Sequence, residues 1–430
     1  MKKRKRLVTF SLLIFVVATV PSFVVHGSGG RIEGKVTDPK GAVLVGAAIT
    51  VTEEATKQSY TAVTDDQGRY KVEGLAAGTY TVAISAKGFN EGRRESVRLD
   101  YGAVVPLDWR LEVATVSRIA MTQQPAGFFG QAWPTLVFMP YTAFIDTTQR
   151  TQLMGIRGGT NNFWRYVAPH EIAHQWWGHV VGWDSYHDQW MSEGFAEFSA
   201  SLYVQATRGN EKFLEFWEEQ RKRIVEASPF TKDRKPYTVG PVTQGYRLNS
   251  GKTGGVARFL IYPKGAYILH MLRMLMYQQG KGGDANFRAM MQDFIQSHFN
   301  KDVSTEDFKT IVEKHMTPDM NLDKNGLMDW FFDEWVYGTE MPSYRFDYQI
   351  GSDGSFSGRI TQSGVSDSFV MRVPVYLDFG KGWVKLGSAS LVGNSSVDLS
   401  NIKLPMAPKR AAICALNDVL ASSIQSKSVS

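Results

Sequence analysis

Residues His170–Glu197 read HEIAHQWWGHVVGWDSYHDQWMSEGFAE, and this stretch organises the rest of the chain. On a helix, His170 and His174 lie one turn apart, rotated by about 40° and separated by roughly 6 Å along the axis, so both imidazoles can face one point. Two such rings form a chelate. Eighteen residues separate His174 from Glu193, enough for a loop and the return of a second, antiparallel helix carrying a third ligand. Two histidines and one carboxylate make a zinc site that leaves a fourth position for water. Glu171, beside the first ligand, can reach that water with its carboxylate.

With eight histidines in 430 residues, HExxH alone arises by chance in roughly one such chain per hundred. The flanks carry more weight. Trp176, Trp177 and Gly178, then WMSEGFAE around Glu193, make a pattern that resembles the aminopeptidase N family of gluzincin zinc metallopeptidases. That family's signature runs HExxHxWxG and, eighteen residues on, EGFA. A second stretch, FLIYPKGAYILHMLRMLMY, places Pro263 at the first position of a helix and Tyr262 at its N-terminal edge, where peptide dipoles favour negative charge. YxKGA resembles the family's catalytic-tyrosine segment, which implies that Tyr262 stabilises an oxyanion.

Composition bounds the remainder. The chain's 430 residues are long enough for two to four domains, and a composition 43% hydrophobic and 12% aromatic predicts packed cores. Residues 1–27 combine basic Lys2–Arg6 with apolar Leu7–Val20 and read as a secretory signal peptide, cleaved after Ser22 or Gly27, with an uncleaved anchor as the alternative. Loss of those five cations lowers the formal charge from +6 to +1, so the basic balance argues for no nucleic-acid partner. Cys414 is the single cysteine; no intrachain disulfide and no lipoprotein anchor are expected. Export to a periplasm or the medium, with no membrane partner after signal cleavage, follows.

Residues 28–114 show short alternating runs, YTAV, RYKVEGL and TYTVAIS, between turn signals DPKG, DDQG and AAGT, predicting a β-sandwich. Gly41, Gly68, Gly74 and Gly78 are expected at turns that need unusual backbone angles. The segment resembles the carboxypeptidase regulatory-like domain, which has a transthyretin-like fold, and reads as a spacer or docking module. Residues 115–342 are expected to form a mainly helical catalytic domain with a shortened N-terminal part, and residues 343–430 a second β-sandwich. The whole is an α+β multidomain chain, and the family resemblance spans Thr135 to Leu420.

Within residues 115–342, one strand is expected, Thr135–Pro140. The family carries a GxMEN motif near this point whose glutamate binds a free α-amine. The matching place is taken as Pro140–Arg150, PYTAFIDTTQR, which has no glutamate; Asp146 either substitutes or caps a turn. The first zinc helix should begin near Tyr166, because Pro169 is tolerated in a first turn. Ser192 should cap the second helix, with Phe195, Phe198, Leu202 and Tyr203 facing inward. Glu197 is either a solvated carboxylate or a partner for a ligand histidine. His179 and His187 read as polar wall residues, and a binuclear site would have only Asp184 and Asp188 to draw on. Later helices are expected at Glu211–Ala227, with Glu218–Lys222 and Glu219–Arg223 pairs, at Asp284–Phe299, and at Ser304–His315, opened by the capping box STED. Asp319–Asp329 resembles a calcium loop but has Phe332 where the bidentate glutamate belongs, so a polar turn is expected.

These residues imply a peptidase acting on a peptide or protein, with one zinc held by His170, His174 and Glu193, Glu171 as general base and Tyr262 on the oxyanion. The family's amine-binding motif and large C-terminal helical domain are both missing from the sequence pattern, which leaves exo- and endopeptidase action open. A zinc-binding secreted scaffold without turnover is the rival, and lipid epoxide hydrolysis is a third reading.

Overall fold

The computed structural model describes residues 29–429 apart from 40, 87–88, 113–118, 125–128, 147, 150–151, 153–162 and 281. The leader at residues 1–27 and the segment 157–162 lie outside them. The chain divides into two compact units, residues 1–114 and 115–430.

In the first unit, β1 (Gly30–Thr37), β4 (Arg69–Leu75), β7 (Val104–Pro106) and β8 (Trp109–Arg110) form one sheet. The other contains β2 (Ala48–Glu53), β3 (Ser59–Val63), β5 (Gly78–Ser85) and β6 (Gly92–Leu99). Alternation places Ile32 and Val36 of one sheet, and Ile49, Val51, Val82 and Ile84 of the other, in a shared core. Gly41, Gly68 and Gly74 have φ of +88°, +70° and +75°, so the angle only glycine adopts freely is required there. Gly78 differs from expectation. It opens β5 with ordinary backbone, and its small size instead leaves room for Glu53, whose Oε1 would lie 3.0 Å from a Cβ.

The second unit begins with a three-stranded sheet, β9 (Ala120–Gln124), β10 (Gln131–Trp133) and β11 (Leu136–Pro140), in the order β10-β11-β9. Only β11 was legible, because AMTQQ and QAW are too polar or too short to show buried alternation. Helices α1 (Phe163–Ala173), α2 (Trp190–Val225), α3 (Pro263–Met276), α4 (Ala285–Ser297), α5 (Thr305–Lys314) and α6 (Asp329–Trp335) follow. Helix α1 starts three residues before Tyr166, so Pro169 sits inside it. Helix α2 is interrupted at Gly209 (φ +81°), which joins the two expected helices end to end. Phe195 and Phe198 are buried, but Leu202 and Tyr203 are exposed and Ser201 and Val204 take the inward positions. Glu218 pairs with Arg221 at 2.8 Å and lies 3.8 Å from Lys222.

Ser304 and Asp307 form the expected box at the start of α5. In the Asp319–Asp329 turn, Asn321 and Asn325 accept hydrogen bonds from the amides of Gly326 and Leu327, so these side chains serve the turn itself. Strands β12 (Ser343–Ile350), β13 (Ser355–Ser363), β16 (Ser396–Lys403) and β18 (Ser423–Ser428) make one sheet, while β14 (Val370–Asp378), β15 (Trp383–Val392) and β17 (Arg410–Ile413) make the other. Tyr344, Phe346 and Tyr348 point into the same hydrophobic core as Trp217 and Trp335 of the helices. The helical layer is thereby anchored on the sandwich.

Helices α2 and α3 cross at two glycines. A Cβ on Gly194 would lie 2.7 Å from the carbonyl carbon of Gly265, and one on Gly265 would lie 3.0 Å from Gly194 Cα. The approach is backbone to backbone, which brings Glu193 up to Tyr262. Alanine is the better helix former by about 1 kcal/mol, yet neither backbone can give way cheaply, and overpacking costs about 1–3 kcal/mol. Gly194→Ala is therefore expected to lower the thermal midpoint; an unchanged or raised midpoint would contradict this account of the crossing.

Candidate metal and catalytic site

Helix α1 supplies His170 and its last turn runs on to His174, whose amide donates to the His170 carbonyl at 3.3 Å. Gly178 (φ +108°) then reverses the chain, and a Cβ there would strike Ser192 Oγ at 2.7 Å. Only glycine permits the return that places α2 alongside. Ser192 is accordingly not a cap, since the N-cap position is Gln189 and makes no side-chain cap bond. Its hydroxyl instead donates to the Trp177 carbonyl at 3.1 Å and lies 3.3 Å from His174 Nδ1.

The three expected ligands converge. His170 Nε2 and His174 Nε2 are 3.2 Å apart, and Glu193 Oε2 lies 3.3 Å from the first and 3.2 Å from the second. Among the described residues this is the one group of three such side chains whose donor atoms fall within 4.8 Å of one another. The outer nitrogens are held too. His174 Nδ1 donates to the Trp177 carbonyl at 2.9 Å, and His170 Nδ1 donates to Glu197 Oε2 at 3.0 Å. Both bonds hold an N–H on Nδ1 and aim Nε2 inward, the ring orientation a metal ligand needs.

Glu197 is buried and far from a solvated carboxylate. Gln220 donates to its Oε1 at 3.0 Å, and Arg223 lies 3.7 Å away. Burial alone would disfavour a charged His170, but the Glu193 and Glu197 carboxylates outweigh it and hold its pKa up at about 10. The same imidazoles, against burial, hold Glu193 well below the ordinary carboxylate range. Two imidazoles and one carboxylate whose donor atoms lie within 4.8 Å of one another fit a zinc ion. Glu197→Gln removes the acceptor charge behind His170 and is expected to weaken metal affinity about 10- to 100-fold, measurable by competition with a chromogenic chelator.

Glu171 is 7% exposed, and burial raises its pKa against the pull of His170 and His174. Its carboxylate lies against Gly130, where a Cβ would come within 2.2 Å of Oε1. Gln175, one helical turn on, fastens the neighbouring turn: its Oε1 accepts from the Thr135 amide at 2.6 Å and its Nε2 donates to the Trp133 carbonyl at 2.9 Å. Gly130 of the stretch Phe129–Trp133, FGQAW, is thus brought against Glu171. Asp146 accepts from the Gln149 amide at 2.8 Å, a turn cap.

Tyr262 is the N-cap residue of α3. Its ring stacks on His170 at 5.7 Å with 15° between planes, and its hydroxyl lies 3.2 Å from that of Tyr246. Burial, then the Glu193 charge, raises its pKa well above the ordinary phenol value, so it remains a proton donor. Lys264 of the same motif points elsewhere: it is fully buried, donates to the Gly338 carbonyl at 2.9 Å, and burial lowers its pKa to about 7.

His179 and His187 stay out of the cluster, the latter bonded to the Thr243 carbonyl at 2.9 Å. Asp188 binds the amide and hydroxyl of Thr305 at 2.7 and 2.9 Å, which ties α5 to the start of α2.

Two family models match the chain: "Peptidase family M1 domain" over residues 157–335 and "Carboxypeptidase regulatory-like domain" over residues 31–112. Aminopeptidase A of Gloydius brevicauda is 30% identical over 148 residues, 34% of this chain and 14% of that protein. Endoplasmic reticulum aminopeptidase 1 of Homo sapiens is 29% identical over 141 residues, 33% of this chain and 14% of that one. The aligned stretch is thus about a seventh of these relatives' length. A crystal structure of Legionella pneumophila aminopeptidase A in complex with aspartic acid superposes with a TM-score of 0.47 at 12% identity, over 90% of this chain and 43% of that one.

Proposed function

We propose that this chain, which carries a peptidase family M1 domain preceded by a carboxypeptidase regulatory-like domain, is an exported zinc-dependent peptidase. The convergence of His170, His174 and Glu193 within 4.8 Å, with Glu171 and Tyr262 beside them, carries the reading. The basic and apolar leader supports export, and no described helix is long and apolar enough to cross a membrane.

His170, His174 and Glu193 would hold the zinc, with Glu197 and the Trp177 carbonyl fixing the two rings. Bound there, the metal supplies Lewis acidity that makes water a nucleophile near neutral pH and polarises the substrate carbonyl. Glu171 accepts the proton of the attacking water on its carboxylate and gives it to the leaving amine nitrogen. Tyr262 keeps its own proton and donates a hydrogen bond to the developing oxyanion.

Substrate class follows from what lies against Glu171. Phe129–Trp133 contains no carboxylate, whereas recognition of a free α-amine in the resembled family depends on a glutamate. We therefore favour cleavage within peptides over strict removal of N-terminal residues. Wild type and Glu171→Ala should be assayed on one peptide with a free and with an acetylated N-terminus, with bound zinc measured in parallel. Similar rates on both forms are expected. A strong preference for the free amine would overturn the endopeptidase part, and no turnover of either by zinc-loaded wild type would favour the scaffold reading.

A further inference from the structure

One hydroxyl at the site belongs to a residue that no motif marks. Tyr246 lies in the 3₁₀ segment Val242–Leu248, and its phenol oxygen is 3.2 Å from that of Tyr262. The segment is fixed on both sides. Gly245 has φ +52°, and a Cβ there would sit 3.0 Å from the Tyr186 carbonyl; the preceding Thr243 carbonyl is bound by His187. Beyond it, the Leu248 carbonyl accepts from Thr253 Oγ1 at 2.6 Å and Asn249 Oδ1 accepts from the Ala257 amide at 2.9 Å. Tyr246 itself is 41% exposed, so its ring adds little to the core that holds this loop.

A phenol has one proton and two acceptor positions. The Tyr262 proton can go to Glu193, the carboxylate that acts most strongly on it, or to an oxyanion forming beside the metal centre. Donated by Tyr246, a hydrogen bond would occupy an acceptor position on Tyr262, restrict the swing of its hydroxyl and polarise its O–H bond, making it the stronger donor. We infer that Tyr246 is a positioning residue for Tyr262, acting on the transition state through that hydroxyl pair. The inference rests on the peptidase reading above.

The test is a double-mutant cycle of Tyr246→Phe and Tyr262→Phe, which delete only hydroxyls, on zinc-loaded protein. Two readouts are taken: kcat and KM on a blocked peptide, and affinity for a phosphinic peptide mimicking the tetrahedral state, by calorimetry. Tyr246→Phe is expected to lower kcat about tenfold with KM within about twofold, less than the 10²–10³-fold typical of losing a direct oxyanion donor. It should weaken phosphinate binding by about the same factor. In the Tyr262→Phe background both effects should shrink below about twofold. Equal effects in the two backgrounds, or none in the wild-type background, would overturn the inference while leaving the peptidase reading intact. Wild-type protein that holds zinc yet neither turns over peptide nor binds phosphinate would remove that reading and the inference together.

Discussion

His174→Ala protein is expected to lose at least nine-tenths of its bound zinc and all measurable turnover. Three protein ligands are the minimum for a catalytic site of this kind, and His174 is placed so that no other described side chain can replace it. His179 has its own Nδ1 buried without a partner and is not within the ligand cluster. The loss should also appear as stability. A metal that binds the folded chain at about a hundred times its dissociation constant adds about 2.7 kcal/mol, so stripping wild type with a chelator should lower its melting temperature. His174→Ala should melt at the same temperature with or without chelator. Stoichiometric zinc in the variant would show that these three side chains are not the metal centre.

Glu171→Gln is expected to retain zinc and substrate binding while kcat falls about 10³-fold, within the 10²–10⁴ range for a positioned proton-transfer group. The amide matches the carboxylate in size, which matters where Gly130 leaves no spare volume. It cannot accept a proton from water. KM should change little, because the lost interaction is made on the way to the transition state. A rate within about tenfold of wild type, with zinc at one per chain, would exclude proton transfer through Glu171.

Much of the site's geometry was legible because it is local. HExxH places two imidazoles on one helical face by rise and rotation alone, and Pro263 marks the start of α3, leaving Tyr262 at its edge. The Ser304–Asp307 box and the alternation of Tyr344, Phe346 and Tyr348 were likewise readable, since capping and period-two burial act over a few residues. The errors share a cause. Ser192 has a cap's composition, yet its hydroxyl is drawn to the Trp177 carbonyl fifteen residues away. Leu202 and Tyr203 are apolar at helical spacing, yet the face α2 buries is set by what packs on it. Glu218 keeps its expected partner Lys222 at 3.8 Å and gains Arg221 at 2.8 Å, whose guanidinium also donates to the Ala421 and Ser422 carbonyls, a contact 200 residues away that spacing does not show.

By itself, then, the sequence determined the ligand set's spacing, the fold class and the end of α3 that faces the centre, because each follows from backbone periodicity. The tertiary structure alone decided that Phe129–Trp133 lies against Glu171, that Glu197 stands behind His170 with Gln220, and that Tyr246 meets Tyr262. These contacts join residues 16 or more positions apart, and they form where helices and loops close on one another. At Gly194 and Gly265 that closing distance is set by the absence of two side chains, a property of the packed pair that neither segment shows alone.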